Sequence, residues 1–232
     1  WESWVPMEER LVRLGLHIEK SRLVSKALLV DELTGAFNRK YLKATFSRFI
    51  SRLERSGESF AVALLDIDHF KQLNDTFGHS YGDDVLHRVS EEIRHAIRSS
   101  DELIRYGGEE FLILLNVSDR AIVESVLERV RTRIEEMEFP YEHQVTVSIG
   151  YTRVCQTGYT LGEWCAYADE ALYKAKRDGR NRVVRYTSAV REEKRIAYVT
   201  MSENTYTSLA NRLPKEHRRY EVVYRPYEAY SC

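Results

Sequence analysis

Proline is scarce. The chain holds four, and none lies between Pro6 and Pro140, so a long middle stretch is free to form uninterrupted helices and strands. Cysteine is scarcer: Cys155, Cys165 and Cys232 lie far apart and none stands at metal-ligand spacing. That excludes a thiolate metal centre and a disulfide scaffold. The odd, sparse count fits a reducing, cytoplasmic setting in which Cys155 and Cys165 pack rather than pair. No run of about 18 apolar residues occurs, so no helical membrane segment is expected in this chain. Trp1 to Arg10 carries acids and no apolar stretch, which excludes a secretory signal. The first residue is not methionine, and the chain is expected to be a piece of a longer polypeptide whose anchor or sensor lies elsewhere. Net charge is also lacking, at −1. No global field draws nucleic acid or an anionic membrane, and a phosphate-binding role needs local charge.

What is present is a soluble globular composition, 43% hydrophobic and 31% charged over 232 residues, enough for one core and part of a second. Met7, Leu11, Leu14, Ile18, Ser21, Ser25 and Leu28 alternate spacings of four and three. This heptad-like seam reads either as an amphipathic helix packed on its own domain or as a dimerising stalk. A helix is expected from Arg39 to about Arg55, ended by Gly57. Phe60 to Asp66 is an apolar run closing on an acid, the pattern of a buried strand. Asp83 to Arg98 has helical spacing of Val85, Leu86, Val89, Ile93, Ala96 and Ile97. Leu103–Tyr106 and Phe111–Leu115 flank Gly107-Gly108, glycines expected to supply the positive φ of a tight hairpin. Ala121–Ile134 reads as a helix, Val145–Tyr151 as a strand, Leu161–Arg177 as a helix and Val183–Val184 as a short strand. Strand, helix, strand, strand, helix, strand is the ferredoxin-like βαββαβ plan, an α+β fold. Beyond the charged run Arg191–Arg195, a strand (196–200), a helix (203–213) and a strand (220–224) make a short C-terminal βαβ extension. It has the outline of the start of a truncated receiver-like domain, without the paired acids expected after its first strand.

Asp66-Ile67-Asp68 ends the first strand and Glu109-Glu110 sits at the hairpin. In a split βαβ sheet these strand ends are neighbours, so their carboxylates converge. Clustered acids repel unless a cation lies between them. Mg²⁺ takes one or two carboxylates and completes its shell with water and phosphate oxygens, so the pattern suggests a nucleoside triphosphate site. An isolated pair of acids is more often a solvated turn; the joint pattern favours the site. Asn74 and Asp83 have the donors and acceptors to read a guanine edge. Lys71, Lys176 and Arg180 supply local positive charge. Gly78 and Gly82 leave room for close approach.

Asp66-Ile-Asp-His-Phe-Lys-Gln-Leu-Asn-Asp-Thr-Phe-Gly-His79 resembles the nucleotide-binding segment of GGDEF-domain diguanylate cyclases. Arg105-Tyr-Gly-Gly-Glu-Glu-Phe111 resembles their signature in its Glu-containing (GGEEF) form. Asp31-Glu-Leu-Thr-Gly35 with Asn38-Arg39 is similar to their opening motif. Val147–Gly150, Ala168–Lys176 and Gly179-Arg-Asn181 resemble their closing ones. The likeness runs from about Asp31 to Tyr186; Ala36 and Lys40 depart from the usual residues and touch none of the expected chemistry. The resemblance implies a nucleotidyl cyclase, palm-like domain that condenses two GTP into cyclic di-GMP and two pyrophosphate as a homodimer. It implies Mg²⁺, with Mn²⁺ as a substitute, held by Asp66, the Ile67 carbonyl, Glu109 and Glu110. Asn74 and Asp83 would read guanine with His79 nearby. The backbone of His69 and Phe70, with Lys71, Lys176 and Arg180, would hold the β- and γ-phosphates. Glu109 or Glu110 would accept the proton of the attacking 3′-hydroxyl. Arg98-Ser-Ser-Asp101 with Arg129 resembles the family's product-inhibition site for cyclic di-GMP.

The expected organisation is a stalk over 1–30, a catalytic domain over 31–187, and a linker with a partial second domain over 188–232. Two other readings compete: a module that binds GTP or cyclic di-GMP without turnover, and a cyclase of similar fold using ATP. A purely structural domain would carry the acid cluster as an electrostatic cost with no return.

Overall fold

The computed structural model describes residues 28–117, 119–140 and 143–187. The expected stalk and the C-terminal βαβ extension lie outside the described residues. The chain divides into two compact units, Trp1–Arg185 and Tyr186–Cys232, and everything below concerns the first.

Helix α1 (Arg39–Ser56) starts where the Asn38 side chain accepts the amides of Lys40 and Tyr41, and stops at Gly57, whose φ of 69° closes the last turn on Leu53 O. Both ends follow local rules for caps. Its buried face is Leu42, Thr45, Phe46, Phe49 and Leu53. Strand β1 (Phe60–Ile67) is buried at every position. It pairs antiparallel with both β3 (Glu110–Leu115) and β4 (Val147–Val154). With β2 (Glu102–Arg105) and β5 (Val183–Arg185) the sheet runs β2-β3-β1-β4-β5, the β4–β5 pair being parallel.

Alternation along β1 builds two cores. Ala61, Ala63, Leu65 and Ile67 pack with α3 (His79–Ala96) and α4 (Arg120–Glu135). Phe60, Val62 and Leu64 pack with α1 and α5 (Leu161–Arg177). The result is an α+β fold with a mixed five-stranded sheet and five helices among the described residues. The central βαββαβ unit matches the sequence expectation, with α1 and α5 added on the other face.

Gly150 in β4 decides how closely α5 approaches. A Cβ there would lie 2.0 Å from the Leu172 amide nitrogen and 2.3 Å from the Ala168 carbonyl oxygen. Only glycine lets the helix backbone rest on the strand. This contact sets the position of everything at the C-terminal end of α5.

Several boundaries differ from expectation. A short helix, α2 (Phe70–Phe77), precedes α3; its eight residues are too few to show a helical period. The helix expected at Asp83–Arg98 begins earlier, at His79, and ends at Ala96. Gly107 and Gly108 do not have positive φ. Gly107 instead leaves room for a side chain: a Cβ there would sit 2.6 Å from Glu110 Oε2, while Gly108 faces open space. Cys165 is buried and free, as expected of a packing residue.

Candidate active site

The β1–β3 register places Asp66 opposite Glu110, and the Ile67 amide donates to the Glu109 carbonyl at 3.4 Å. The end of β1 and the hairpin tip therefore meet, and Asp66, Ile67, Glu109 and Glu110 come together as the sequence implied. Burial pushes the Asp66 carboxyl above its ordinary pKa. The Lys176 ammonium, 2.8 Å from Asp66 Oδ2, pulls it down, and the negative charges of Glu109 and Asp68 push it up again. Burial also raises Glu110, with further upward push from Asp66, Asp169 and Glu109 against the pull of Lys176. This is a cluster of like charges short of positive charge. Its donors are all hard oxygens, which suits Mg²⁺. Among the described residues no three acidic, histidine or cysteine side chains stand at metal-holding spacing.

Asp68 does something else. Its carboxylate accepts from the hydroxyls of Thr146 (2.8 Å) and Ser148 (2.7 Å) and from the Asn181 amide (3.1 Å). It is buried and ties β1, β4 and the turn after α5 into one piece. Its part in the Asp-Ile-Asp pattern is positional.

On the other side of the β1 exit, Asn74 lies in α2 with its Oδ1 buried and without a hydrogen-bond partner. Buried acceptors are rarely left unmatched, since an unpaired group costs about 1–3 kcal/mol. Space for it comes from Gly82 in α3, where a Cβ would lie 1.9 Å from Asn74 Oδ1. The room at Gly82 is thus filled by a side chain of the same protein. Gly78 has φ 85° and nothing within 4 Å of its would-be Cβ; it breaks the chain between α2 and α3. Asp83 follows Gly82 directly, and His79 lies one turn before it on α3, both exposed, so the two share a helix face. The structure sets Asn74 against Gly82, with Asp83 and His79 exposed on the same helix as that glycine.

His69 takes a left-handed conformation, φ 59°, and no side chain caps α2. The first amides of that helix, from Phe70 onward, have no side-chain cap, and an uncapped helix N-terminus favours an anion. Lys71 is exposed. Arg180 lies after α5 in a turn that contains two consecutive non-glycine left-handed residues, Arg180 (φ 63°) and Asn181 (φ 45°). Each costs about 1–2 kcal/mol, less for Asn, and persists only where surroundings impose it.

The opening motif had no assigned chemistry in the sequence, and the structure supplies its role. Asp31 accepts from the Thr34 amide and hydroxyl at 2.9 and 2.7 Å and from Arg105 at 3.0 Å. Arg105 also donates to the Gly108 carbonyl at 2.9 Å. Burial alone would raise the Asp31 carboxyl; the Thr34 and Arg105 interactions outweigh it and hold it low. Asp31 and Arg105 thus clamp the hairpin tip that carries Glu109. The signal was present, since both residues belong to the quoted motifs, but a pairing 74 positions apart has no local signature.

Arg98 is exposed at the end of α3. The Asp101 carboxylate accepts from the amides of Arg98 (3.0 Å) and Asn116 (2.9 Å). Arg98 and Asp101 line a shallow cavity of ≈ 450 Å³ with Ala36, Phe37 and Leu103. Arg129 does not line it; its Nε donates to the Ala96 carbonyl at 3.0 Å, capping α3 just before Arg98. The three residues are brought to one end of one helix, with Arg129 turned to the backbone.

Residues 28–182, more than half of the chain, match the family described as diguanylate cyclase, GGDEF domain. The chain is 38% identical over 157 residues to the diguanylate cyclase DosC of Escherichia coli K12, covering 66% of this chain and 34% of that protein. It is 38% identical over 181 residues to the diguanylate cyclase DgcP of Pseudomonas aeruginosa PAO1, covering 76% and 26% respectively. The chain thus spans about a third or less of these relatives. Its fold superposes with a TM-score of 0.68 on the coiled coil and GGDEF domain of DgcB from Caulobacter crescentus in complex with c-di-GMP. That match has 31% identity and covers 77% of this chain and 98% of the other.

Proposed function

Because the chain belongs to the GGDEF-domain diguanylate cyclase family, we propose that it condenses two GTP into cyclic di-GMP and two pyrophosphate. The observation that carries the choice of base is the buried, unpartnered Oδ1 of Asn74, set against Gly82, the residue before Asp83. Guanine presents N1–H and N2–H₂ donors to such acceptors, and adenine presents neither in that arrangement. The whole Gly107-Gly108-Glu109-Glu110-Phe111 turn supports turnover over mere binding.

In this reading Asp66, the Ile67 carbonyl and Glu109 hold Mg²⁺, or Mn²⁺ in its place, and Glu110 shares the site. The ion, when bound, offsets charge on the phosphate oxygens and the departing pyrophosphate. The chain's own residues do the rest. Asn74 and Asp83 orient the base, with His79 at the rim. The first amides of α2 around His69 and Phe70, with Lys71 and Arg180, hold the β- and γ-phosphates. Lys176, now on Asp66, is close enough to the acids to serve a phosphate that arrives there. Glu109 or Glu110 accepts the 3′-hydroxyl proton. Each 3′-hydroxyl meets the α-phosphate of GTP held by a second copy, so orientation comes from pairing of two chains. The GGEEF form of the signature fits the same chemistry.

Product inhibition is part of the proposal. Arginine grips phosphate or stacks on guanine, and Asp accepts from its edge. Arg98 is exposed for this, Asp101 is held in place by two amides, and Arg129 holds the Ala96 carbonyl at the helix end that leads into Arg98. Incubation with GTP and Mg²⁺ followed by nucleotide separation tests the function. Cyclic di-GMP with two pyrophosphate per product is expected. Tight GTP binding without product would replace the enzyme by a binding module, and equal use of ATP would overturn the role of Asn74.

A further inference from the structure

The left-handed turn carrying Arg180 is held from α4, a helix that supplies no residue to the metal, base or phosphate site described above. Asn181 is the contact. Its Oδ1 accepts from Arg131 Nη1 at 3.0 Å, its Nδ2 donates to Glu135 Oε1 at 2.7 Å, and its backbone amide donates to Asp68 at 3.1 Å. Arg131 and Glu135 are themselves paired at 2.6 Å, and Arg131 also meets Glu128 at 2.7 Å. These are charge-assisted contacts one turn apart on α4. Arg131 keeps only 18% of its side chain exposed, so it is a packed, ordered group. Arg180 itself is fixed from below, its amide donating to Ala175 O at 3.0 Å and its carbonyl accepting from Arg182 at 2.9 Å.

Two left-handed non-glycine residues in sequence do not hold that shape unaided. Every polar atom of the Asn181 side chain is taken by α4, and its amide by the residue that follows the expected metal ligands on β1. We propose that Arg131 and Glu135 are positioning residues for the triphosphate, acting through Asn181 to present Arg180 to the β- and γ-phosphates. The inference rests on the cyclase reading for what Arg180 binds. It adds a residue set, on a helix outside the nucleotide-binding motifs, that controls affinity for the phosphate tail and leaves recognition of the base alone.

The test uses the full chain and two ligands. 3′-Deoxy-GTP lacks the attacking hydroxyl and carries the complete triphosphate; GMP has the base and lacks the β- and γ-phosphates. Binding of both is measured by titration calorimetry with Mg²⁺ present. Arg131→Ala is expected to weaken 3′-deoxy-GTP roughly tenfold, the loss of one well-placed charge-assisted contact, and to leave GMP unchanged. Arg180→Ala is expected to do the same, and the double variant to be no weaker than Arg180→Ala alone. Glu135→Gln, which keeps the side-chain shape, is expected to show a smaller loss of the same selectivity, and serves if Arg131→Ala folds poorly. Equal weakening of both ligands would make Arg131 a general structural residue and overturn the proposal. So would full additivity with Arg180→Ala. If Arg180→Ala leaves 3′-deoxy-GTP unaffected, the phosphate role of Arg180 falls and this proposal falls with it. If Arg180→Ala weakens it and neither α4 variant does, the positioning proposal alone is refuted.

Discussion

Gly82→Ala probes the base pocket from the side that ligand chemistry does not reach. The added Cβ would lie 1.9 Å from Asn74 Oδ1, 2.9 Å from its Cγ and 3.2 Å from Phe70 Cζ. The first distance is more than an ångström inside any contact a real Cβ makes, so the Asn74 amide must rotate out of its place. Its flexible side chain makes that cheap for the fold, and the Phe70 contact asks for a shift of tenths of an ångström. The melting temperature is therefore expected to stay close to that of the parent. Binding of GTP is not. A neutral hydrogen bond contributes about 0.5–1.5 kcal/mol net, and leaving a guanine donor buried without its acceptor costs about 1–3 kcal/mol. GTP affinity should fall roughly 5- to 100-fold. The assay is pyrophosphate release across a GTP range, repeated with inosine triphosphate, which lacks the 2-amino group. The parent should prefer GTP to the inosine nucleotide, and Gly82→Ala should narrow that preference. An unchanged KM for GTP together with an unchanged preference would refute the guanine role of Asn74.

The remaining predictions address the acids, the framework and the inhibitory site. Glu109→Gln should lower kcat at least about a hundredfold by removing a metal ligand, with GMP binding retained; undiminished turnover would remove Glu109 from the site. Gly150→Ala should destabilise the fold by about 1–3 kcal/mol, because α5 must lift off β4. Chemical denaturation reads that directly, and a shift within error would mean the helix relaxes freely. Asp31→Asn should destabilise the protein at neutral pH. The Asp31 pKa is held below its ordinary value, so its stabilisation is present above pH about 4 and is lost as pH falls through the lower folded value. The difference in urea midpoint between parent and variant should therefore shrink toward pH about 3; a difference that grows on acidification would contradict the sign. Arg98→Ala should relieve inhibition by added cyclic di-GMP with the initial rate preserved. Sensitivity equal to the parent, or a parent that is not inhibited, would end the case for that site.

What the sequence determined by itself was everything written in short-range pattern. Gly57 marks the end of α1 as a cap residue does, and the bounds of α5 match the helix read from Leu161 to Arg177. The unbroken apolar run before Asp66 announced a strand buried on both faces, which is what β1 is. The acids, Asn74, Asp83 and the basic residues were legible as types suited to a nucleotide, and their motifs named the family. Helix α2 was hidden because eight residues carry too little period to separate a helix from a loop.

Tertiary structure decided which of those residues act and which hold. Asp66 and Asp68 are equivalent on paper; Asp66 lies within β1 and meets Lys176 and the acid cluster, whereas Asp68 lies in the turn past the strand's end and meets Thr146, Ser148 and Asn181. The glycines at the hairpin were expected to serve backbone conformation. Gly107 instead yields space to Glu110, and Gly82 yields space to Asn74. Such clearances depend on what stands opposite, which no local window contains. The same holds for the Asp31–Arg105 clamp and for the reach of Arg131 and Glu135 to Asn181, each between residues distant in sequence. Propensity, capping and apolar period act over a few neighbouring residues and can be read along the chain. Steric room and charge pairing act through space, and they exist only once the sheet and helices have brought those residues together.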